Sequence, residues 1–169
     1  MSSSLSQTGG QGAHERPSGG ASARILLVDD DPVNQMVALG LLRRHGWEAV
    51  AAGNGREALQ ILAHQSFHLI LLNLQMPEMD GFETATAIRQ REAQSCSAPI
   101  PTVVSESTRG RGGGHIPIIA LTTASQPGVR ERCLAAGMDD YLTKPISPRA
   151  LYVAVEKHLG GPRPSEAPT

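Results

Sequence analysis

Residues 24–32 read Arg24-Ile25-Leu26-Leu27-Val28-Asp29-Asp30-Asp31-Pro32, and this stretch decides the fold. Its apolar run stops abruptly at three aspartates, which suits a strand buried on both faces, as the strands of a parallel sheet are. Asp31-Pro32 then starts a helix: an aspartate at the N-cap accepts from free backbone N–H groups, and a proline at N1 has no N–H to leave unpaired. The stretch is a strand, a short acidic loop and a helix, with Asp29 and Asp30 at the strand's carboxyl end.

The same alternation runs through the rest of the chain. Val33, Met36, Val37, Leu41 and Leu42 recur at helical spacing and predict the buried face of the first helix, which Gly46 ends after Arg43, Arg44 and His45. Trp47 to Ala52 predicts a second strand. After a turn at Gly53-Asn54-Gly55, Ala58, Leu59, Ile61 and Leu62 give a second helix its apolar side. Leu69-Ile70-Leu71-Leu72 is a third strand closing at Asn73, and a helix from Phe82 to about Gln94 follows the loop 74–81. Ile116 to Leu121 closes at Thr122, a short helix runs from about Gln126 to before Gly137, Asp140 to Thr143 is a weak last strand, and Pro148 to Leu159 a last helix. Strands alternating with helices predict an α/β fold, a doubly wound five-stranded parallel sheet. Such sheets bind ligands beyond the carboxyl ends of their strands, and Asp29, Asp30, Asn73, Thr122 and Lys144 all fall there.

Length and composition bound the rest. A chain of 169 residues accommodates one ordinary core plus tails. Residues 1–23 contain one Leu, Leu5, and almost no other large apolar side chain, and predict a disordered arm; residues 160–169 predict a disordered tail. The ordered domain is expected over 24–159, interrupted at about 95–115 by a flexible insertion rich in Ser, Pro and Gly. That insertion lacks the Lys-Ser/Thr of a phosphate-binding loop. The 15 basic and 16 acidic residues give a net charge of -1, so no nucleic-acid partner is expected. No apolar segment suggests a signal peptide or a membrane span, so no direct membrane contact is expected. Cys96 and Cys133 show neither metal-ligand spacing nor a disulfide framework, which fits a cytoplasmic protein.

Two carboxylates at one strand end, a polar side chain at the central strand end and a lysine close by suit phosphoryl chemistry. Mg²⁺ prefers oxygen ligands, a lysine balances the charge of a transferring phosphoryl group, and Thr122 can donate to its oxygens. Taken alone, the aspartates could simply cap a helix, Lys144 could be a counter-charge to them, and Thr122 could bond locally. The position where a third carboxylate would act as nucleophile holds Asn73.

The runs ILLVDDDPVNQMVALGLLRRHGWEAVAAGNGREAL, LILLNLQMPEMDGFETATAIR, IPIIALT and AAGMDDYLTKPI resemble, in order and spacing, the receiver domain of two-component response regulators, particularly those working with hybrid histidine kinases. The resemblance implies a flavodoxin-like receiver fold. It implies that Asp29, Asp30 and the backbone carbonyl of Gln75 hold Mg²⁺, that Thr122 is the switch hydroxyl, Tyr141 its aromatic rotamer partner and Lys144 the essential lysine, with a cis bond at Pro145. The family accepts phosphate on an aspartate where this chain has Asn73. A carboxamide is not an anionic nucleophile, and its neutrality is expected to leave Mg²⁺ binding weak or lost.

Three explanations stand: a degenerate pseudo-receiver signalling through contacts, a receiver whose Asp at 73 has been replaced by Asn, or phosphate acceptance elsewhere, on Asp29, Asp30, Asp31 or Thr122. The first is preferred: a non-enzymatic signalling module of a phosphorelay. Its alternative is a receiver natively autophosphorylated, with Mg²⁺, from a histidine kinase or phosphotransfer domain. Expected partners are a histidine kinase, a histidine phosphotransfer domain or another receiver, met through the loops around Asn73 and the face near Tyr141, which also offers a homodimer contact. His64, His68 and His158 are expected at the surface.

Overall fold

A computed structural model describes residues 22–95, 115–123 and 127–159. The expected tail, the arm up to residue 21 and most of the insertion therefore lie outside the described residues. Five parallel strands, β1 (Arg24–Val28), β2 (Glu48–Ala52), β3 (Leu69–Asn73), β4 (Ile118–Thr122) and β5 (Asp140–Thr143), form one sheet in the order β2-β1-β3-β4-β5. The helices are α1 (Pro32–His45), α2 (Gly55–His64), α3 (Gly81–Ser95), α4 (Val129–Ala135) and α5 (Pro148–Leu159). This is the expected doubly wound arrangement of the flavodoxin type. The chain direction across the sheet reverses between β1 and β3, and a crevice forms at such a point.

Alternation along the strands makes two cores. Leu26, Val28, Ile70, Leu72, Ile118 and Ala120 pack with Ala58, Ala85, Ile88 and Cys133, under α2, α3 and α4. Ile25, Leu27, Leu69, Leu71, Ile119 and Leu121 pack with Ala38, Leu42, Leu151 and Val155, under α1 and α5. Both faces of the three central strands are thus apolar, which is why their sequences are unbroken apolar runs.

The caps sit where the sequence put them. Asp31 accepts from the Val33 N–H at 2.8 Å with Pro32 opening α1, and Gly46 closes it at φ 100°. Asn54, read only as a turn residue, is also a cap: its Oδ1 accepts from Glu57 N–H at 2.7 Å while the Glu57 carboxylate takes the Gly53 N–H, also at 2.7 Å.

Two expectations need correction. Val33, Met36 and Val37 are not on the buried face of α1 but exposed, at 65%, 75% and 51%. The inward stripe is Gln35, Ala38 and Leu42: Gln35 Nε2 donates to the carbonyls of Asp29 (2.6 Å) and Ala52 (3.3 Å), so a polar residue occupies a place the hydrophobic count gave to its neighbours. The fourth strand also starts later than Ile116. The Ile116 backbone is held by side chains instead, its N–H donating to Glu92 (2.8 Å) and its carbonyl accepting from Arg89 (2.9 Å). The Arg89 guanidinium extends this clasp to the Gly137 carbonyl (2.8 Å) and the Asp139 carboxylate (3.0 Å), fixing the amino-terminal edge of the sheet where the insertion leaves and re-enters.

Candidate functional site

The carboxyl ends of β1, β3 and β4 bring together the residues singled out in the sequence. Asp29 follows β1 directly and is 1% exposed. Its backbone N–H continues the sheet by donating to the Ala52 carbonyl at 3.1 Å, which aims its side chain across the strand ends. One carboxylate oxygen accepts from Asp31 N–H (3.0 Å) and from the Asn73 amide (3.3 Å), the other from Lys144 Nζ (2.6 Å). Lys144 reaches there because its own N–H donates to the Thr122 carbonyl at 2.7 Å, just before the cis bond to Pro145. The Asp29–Lys144 pair is buried, with side chains 2% and 9% exposed.

Asn73 ends β3 and is 5% exposed. Its Nδ2 lies 3.0 Å from Asp30 Oδ1, 2.9 Å from the Gln75 carbonyl oxygen and 3.3 Å from Asp29 Oδ1. Three acceptors surround a group with two hydrogens, so the longest contact is a shared one. The surroundings also fix the amide's orientation, because the reverse flip would set its oxygen against those acceptors. Its Oδ1 is left to accept from Gln75 N–H, at a long 3.4 Å.

Gly81 lets the following loop lie against this strand end. Its N–H donates to the Leu74 carbonyl at 3.0 Å, and a Cβ there would fall 2.5 Å from the Asn73 carbonyl oxygen and 2.8 Å from Leu74 Cα. Thr122, 6% exposed, closes β4 on the other side of Asn73. A cleft of about 470 Å³ opens beside it, lined by Gln75, Met76, Phe82 and Arg132. Tyr141 pairs with Ala120 in the β4–β5 register, so it lies on the same sheet face as Thr122, one pleat away, and it is 40% exposed.

Chemically, the pocket has two carboxylates, one ammonium and one carboxamide. Two carboxylates and a carbonyl are oxygen donors of the kind a hard cation takes. The space between them, however, is taken by the Asn73 NH₂, which is within hydrogen-bond distance of all three. The residues present therefore do not fit a divalent ion as they stand, and no group of three or more His, Cys, Asp or Glu side chains suited to a metal occurs among the described residues. Nor does the pocket contain a carboxylate at the end of β3 to attack phosphorus.

Other polar groups also found partners that the sequence did not disclose. His68 Nδ1 accepts from Arg24 N–H at 3.0 Å, and His158 lies 3.1 Å from the Asp140 carboxylate; both are part-buried, so only His64 of the three histidines fits the surface expectation. Asp140 also accepts from Tyr141 N–H (2.9 Å) and Lys157 (3.2 Å). Burial alone would raise its pKa, but the hydrogen bonds from His158, Tyr141 and Lys157 together hold it below the ordinary aspartate value. The exposed apolar patch of Val33, Met36 and Val37 next to the Asp30–Asp31 loop was invisible because an apolar residue on a helix reads as core unless its phase is known.

Residues 25–156 match the family described as "Response regulator receiver domain". Among curated proteins, "Probable histidine kinase 4" of Oryza sativa subsp. japonica is 38% identical over 138 residues, covering 80% of this chain and 14% of that protein. The curated relatives are thus much longer, this chain spanning 7% of a hybrid signal transduction histidine kinase from Dictyostelium discoideum. Among solved structures, the receiver domain of the sensor histidine kinase PA1611 from Pseudomonas aeruginosa PAO1, with a magnesium ion in its active-site cleft, aligns with TM-score 0.65 and 33% identity over 83% of this chain and all of that one. The Saccharomyces cerevisiae complex of the histidine phosphotransfer protein Ypd1 with the Ssk1 receiver domain aligns with TM-score 0.68 and 32% identity over 80% of this chain and 88% of that one.

Proposed function

Because this chain belongs to the response regulator receiver family and is a receiver domain of two-component phosphorelay signalling, we propose that it works as a non-phosphorylatable receiver that signals through protein contacts. One observation carries the reading: the side chain at the end of β3, among Asp29, Asp30, Gln75 and Lys144, is the carboxamide of Asn73. An amide is neither the nucleophile that forms an acyl phosphate nor a group that a neighbouring base can turn into one. Asp29, Asp30 and the Gln75 carbonyl are the groups a receiver would use to hold Mg²⁺, and with the Asn73 amide standing among them that binding is weak or lost. Thr122, Tyr141 and Lys144 are the remaining switch and charge residues, and no catalysis is assigned to them.

The partner is a histidine kinase, a phosphotransfer domain or another receiver. Two surfaces support contact: the exposed Val33, Met36 and Val37 beside the acidic rim, and the face near Tyr141, 40% exposed, which also suits a homodimer. Contiguous exposed apolar residues of this kind mark interaction sites. The complex of a receiver with a phosphotransfer protein among the aligned structures makes that partner class the first to test. No helix among the described residues is long and apolar enough to cross a membrane, and the reading places the module in the cytoplasm.

The test is intact mass and peptide mapping after incubation with a small phosphodonor and Mg²⁺, run beside an Asn73→Asp chain. No phosphoryl mass on the native chain with a gain on Asn73→Asp is expected. Phosphoryl mass on the native chain would overturn the reading, and its mapped position would name the acceptor.

A further inference from the structure

The centre of the pocket deepens that reading. A divalent ion held by Asp29, Asp30 and the Gln75 carbonyl would sit between their oxygens. In this chain the Asn73 Nδ2 sits between them, at 3.3, 3.0 and 2.9 Å. We propose that the Asn73 carboxamide, by donating hydrogen bonds into this acidic pocket, stands with the Lys144 ammonium as an internal substitute for a divalent ion, so that the domain holds its loops in place without metal.

Three features of the pocket support this. The amide's donor face is fixed by acceptors alone, so its partial positive charge is directed where a cation's charge would be. Lys144 neutralises the far oxygen of Asp29 at 2.6 Å, leaving a formal charge of one negative from two carboxylates and one ammonium. A carboxylate at position 73 would double that and place a third negative group among acceptor oxygens, which demands a cation. Finally, among the described residues no buried side-chain nitrogen or oxygen lacks a hydrogen-bond partner, so the buried part of the pocket, Asp29 and Asn73, is satisfied without an ion. The same amide ties the β1–α1 loop, through Asp29 and Asp30, to the β3–α3 loop, through Gln75. Metal ions tie loops in the same way by bridging ligands from separate segments.

The inference rests on Asn73 remaining an amide, as the proposed function does, but it fails separately. Thermal unfolding of the full chain is followed by circular dichroism in EDTA and in saturating Mg²⁺, for the native chain, Asn73→Asp and Asn73→Ala. The native midpoint is expected to be the same in both, within about 1 °C. Asn73→Asp is expected to melt lower than the native chain in EDTA and to rise on the order of 5 °C with Mg²⁺, since an ion that binds only the folded state stabilises it by mass action. Asn73→Ala, which vacates the centre without adding charge, is expected to rise as well. If Asn73→Ala does not fold, the Asn73→Asp comparison decides alone.

A Mg²⁺ rise in the native chain equal to that of Asn73→Asp overturns the inference, because the amide then yields its place. No response from Asn73→Asp also overturns it, because something other than the amide then excludes the ion. Phosphoryl mass on the native chain would end the proposed function whatever these melts show. A native chain that answers to Mg²⁺ yet takes no phosphoryl group would end this inference alone.

Discussion

Replacing Lys144 with methionine tests how tightly the pocket is held by charge. The Lys144–Asp29 pair is 2.6 Å long, with side chains 9% and 2% exposed, so solvent screens it little. Methionine keeps most of the stem and removes the ammonium, leaving the Asp29 carboxylate buried without its counter-ion. Breaking one side of a buried pair costs about 3–5 kcal/mol. Asp29 keeps two other donors, Asp31 N–H and the Asn73 amide, which favours the lower end, about 3 kcal/mol. For a domain of this size that is a fall in midpoint on the order of 10 °C. Trp47 is the single tryptophan and stacks on His45 with ring centroids 3.9 Å apart. Its emission therefore reports on the α1–β2 junction during urea unfolding. The native and Lys144→Met curves should differ in midpoint with the same slope. The double variant Asp29→Asn with Lys144→Met should recover part of the loss, since no buried charge is then left unpaired. A loss below about 1 kcal/mol, the value of an exposed pair, would refute the claim that this ion pair is a buried tie between β1 and the β5–α5 loop.

Two further outcomes follow from particular contacts. Asp140 has a lowered folded-state pKa, so as acid is added the unfolded chain takes up its proton first. Its contribution to stability is complete above its ordinary value of about 3.8 and is lost as pH falls through the lower folded value. In urea melts from about pH 5 down to about pH 3, Asp140→Asn should flatten the acid decline; an unchanged slope would mean that His158 and Lys157 do not hold the carboxylate in solution. Gly81→Ala would put a Cβ 2.5 Å from the Asn73 carbonyl oxygen, against backbone that cannot rotate away. A loss of about 1–3 kcal/mol, the cost of overpacking, should appear in the same melts, and a neutral result would show that the β3–α3 loop can withdraw from the strand end.

The elements that bury both faces were legible because apolar runs such as Ile25–Val28 and Leu69–Leu72 admit one environment. Caps were legible where one side chain meets its own neighbouring backbone, as at Asp31. Local order therefore reached the strand ends, and with it the placement of Asp29, Asn73, Thr122 and Lys144. The phase of α1 was not legible. Gln35 faces inward to two carbonyls from β1 and β2, and nothing in the helix itself announces acceptors supplied by other strands. The start of β4 was hidden for the same reason, since Arg89 and Glu92 come from α3 to bind the Ile116 backbone in place of a neighbouring strand. The sequence also gave Asn73 as a missing acid; only the assembled pocket reveals it as a donor, because Asp29, Asp30 and Gln75 converge on it from two separate loops.

That difference bears on why the other pocket residues can remain useful without a nucleophile. Asp29 joins the β1 end to β2 through its N–H, to the first turn of α1 through Asp31, to β3 through Asn73 and to the β5–α5 loop through Lys144. The bonds to Ala52, Asn73 and Lys144 connect segments far apart in the chain, and the Asp29–Lys144 pair is buried enough that losing one partner strands the other. An arrangement suited to holding an ion and a phosphoryl group thus also fixes the loops at the carboxyl edge of the sheet relative to one another, beside the exposed Val33, Met36 and Val37. A contact surface at that edge needs its loops held in register, not a reaction between them. On the proposed reading, an amide at position 73 removes the chemistry and adds a donor to the ties, so a contact surface at that edge would not depend on phosphorylation at position 73.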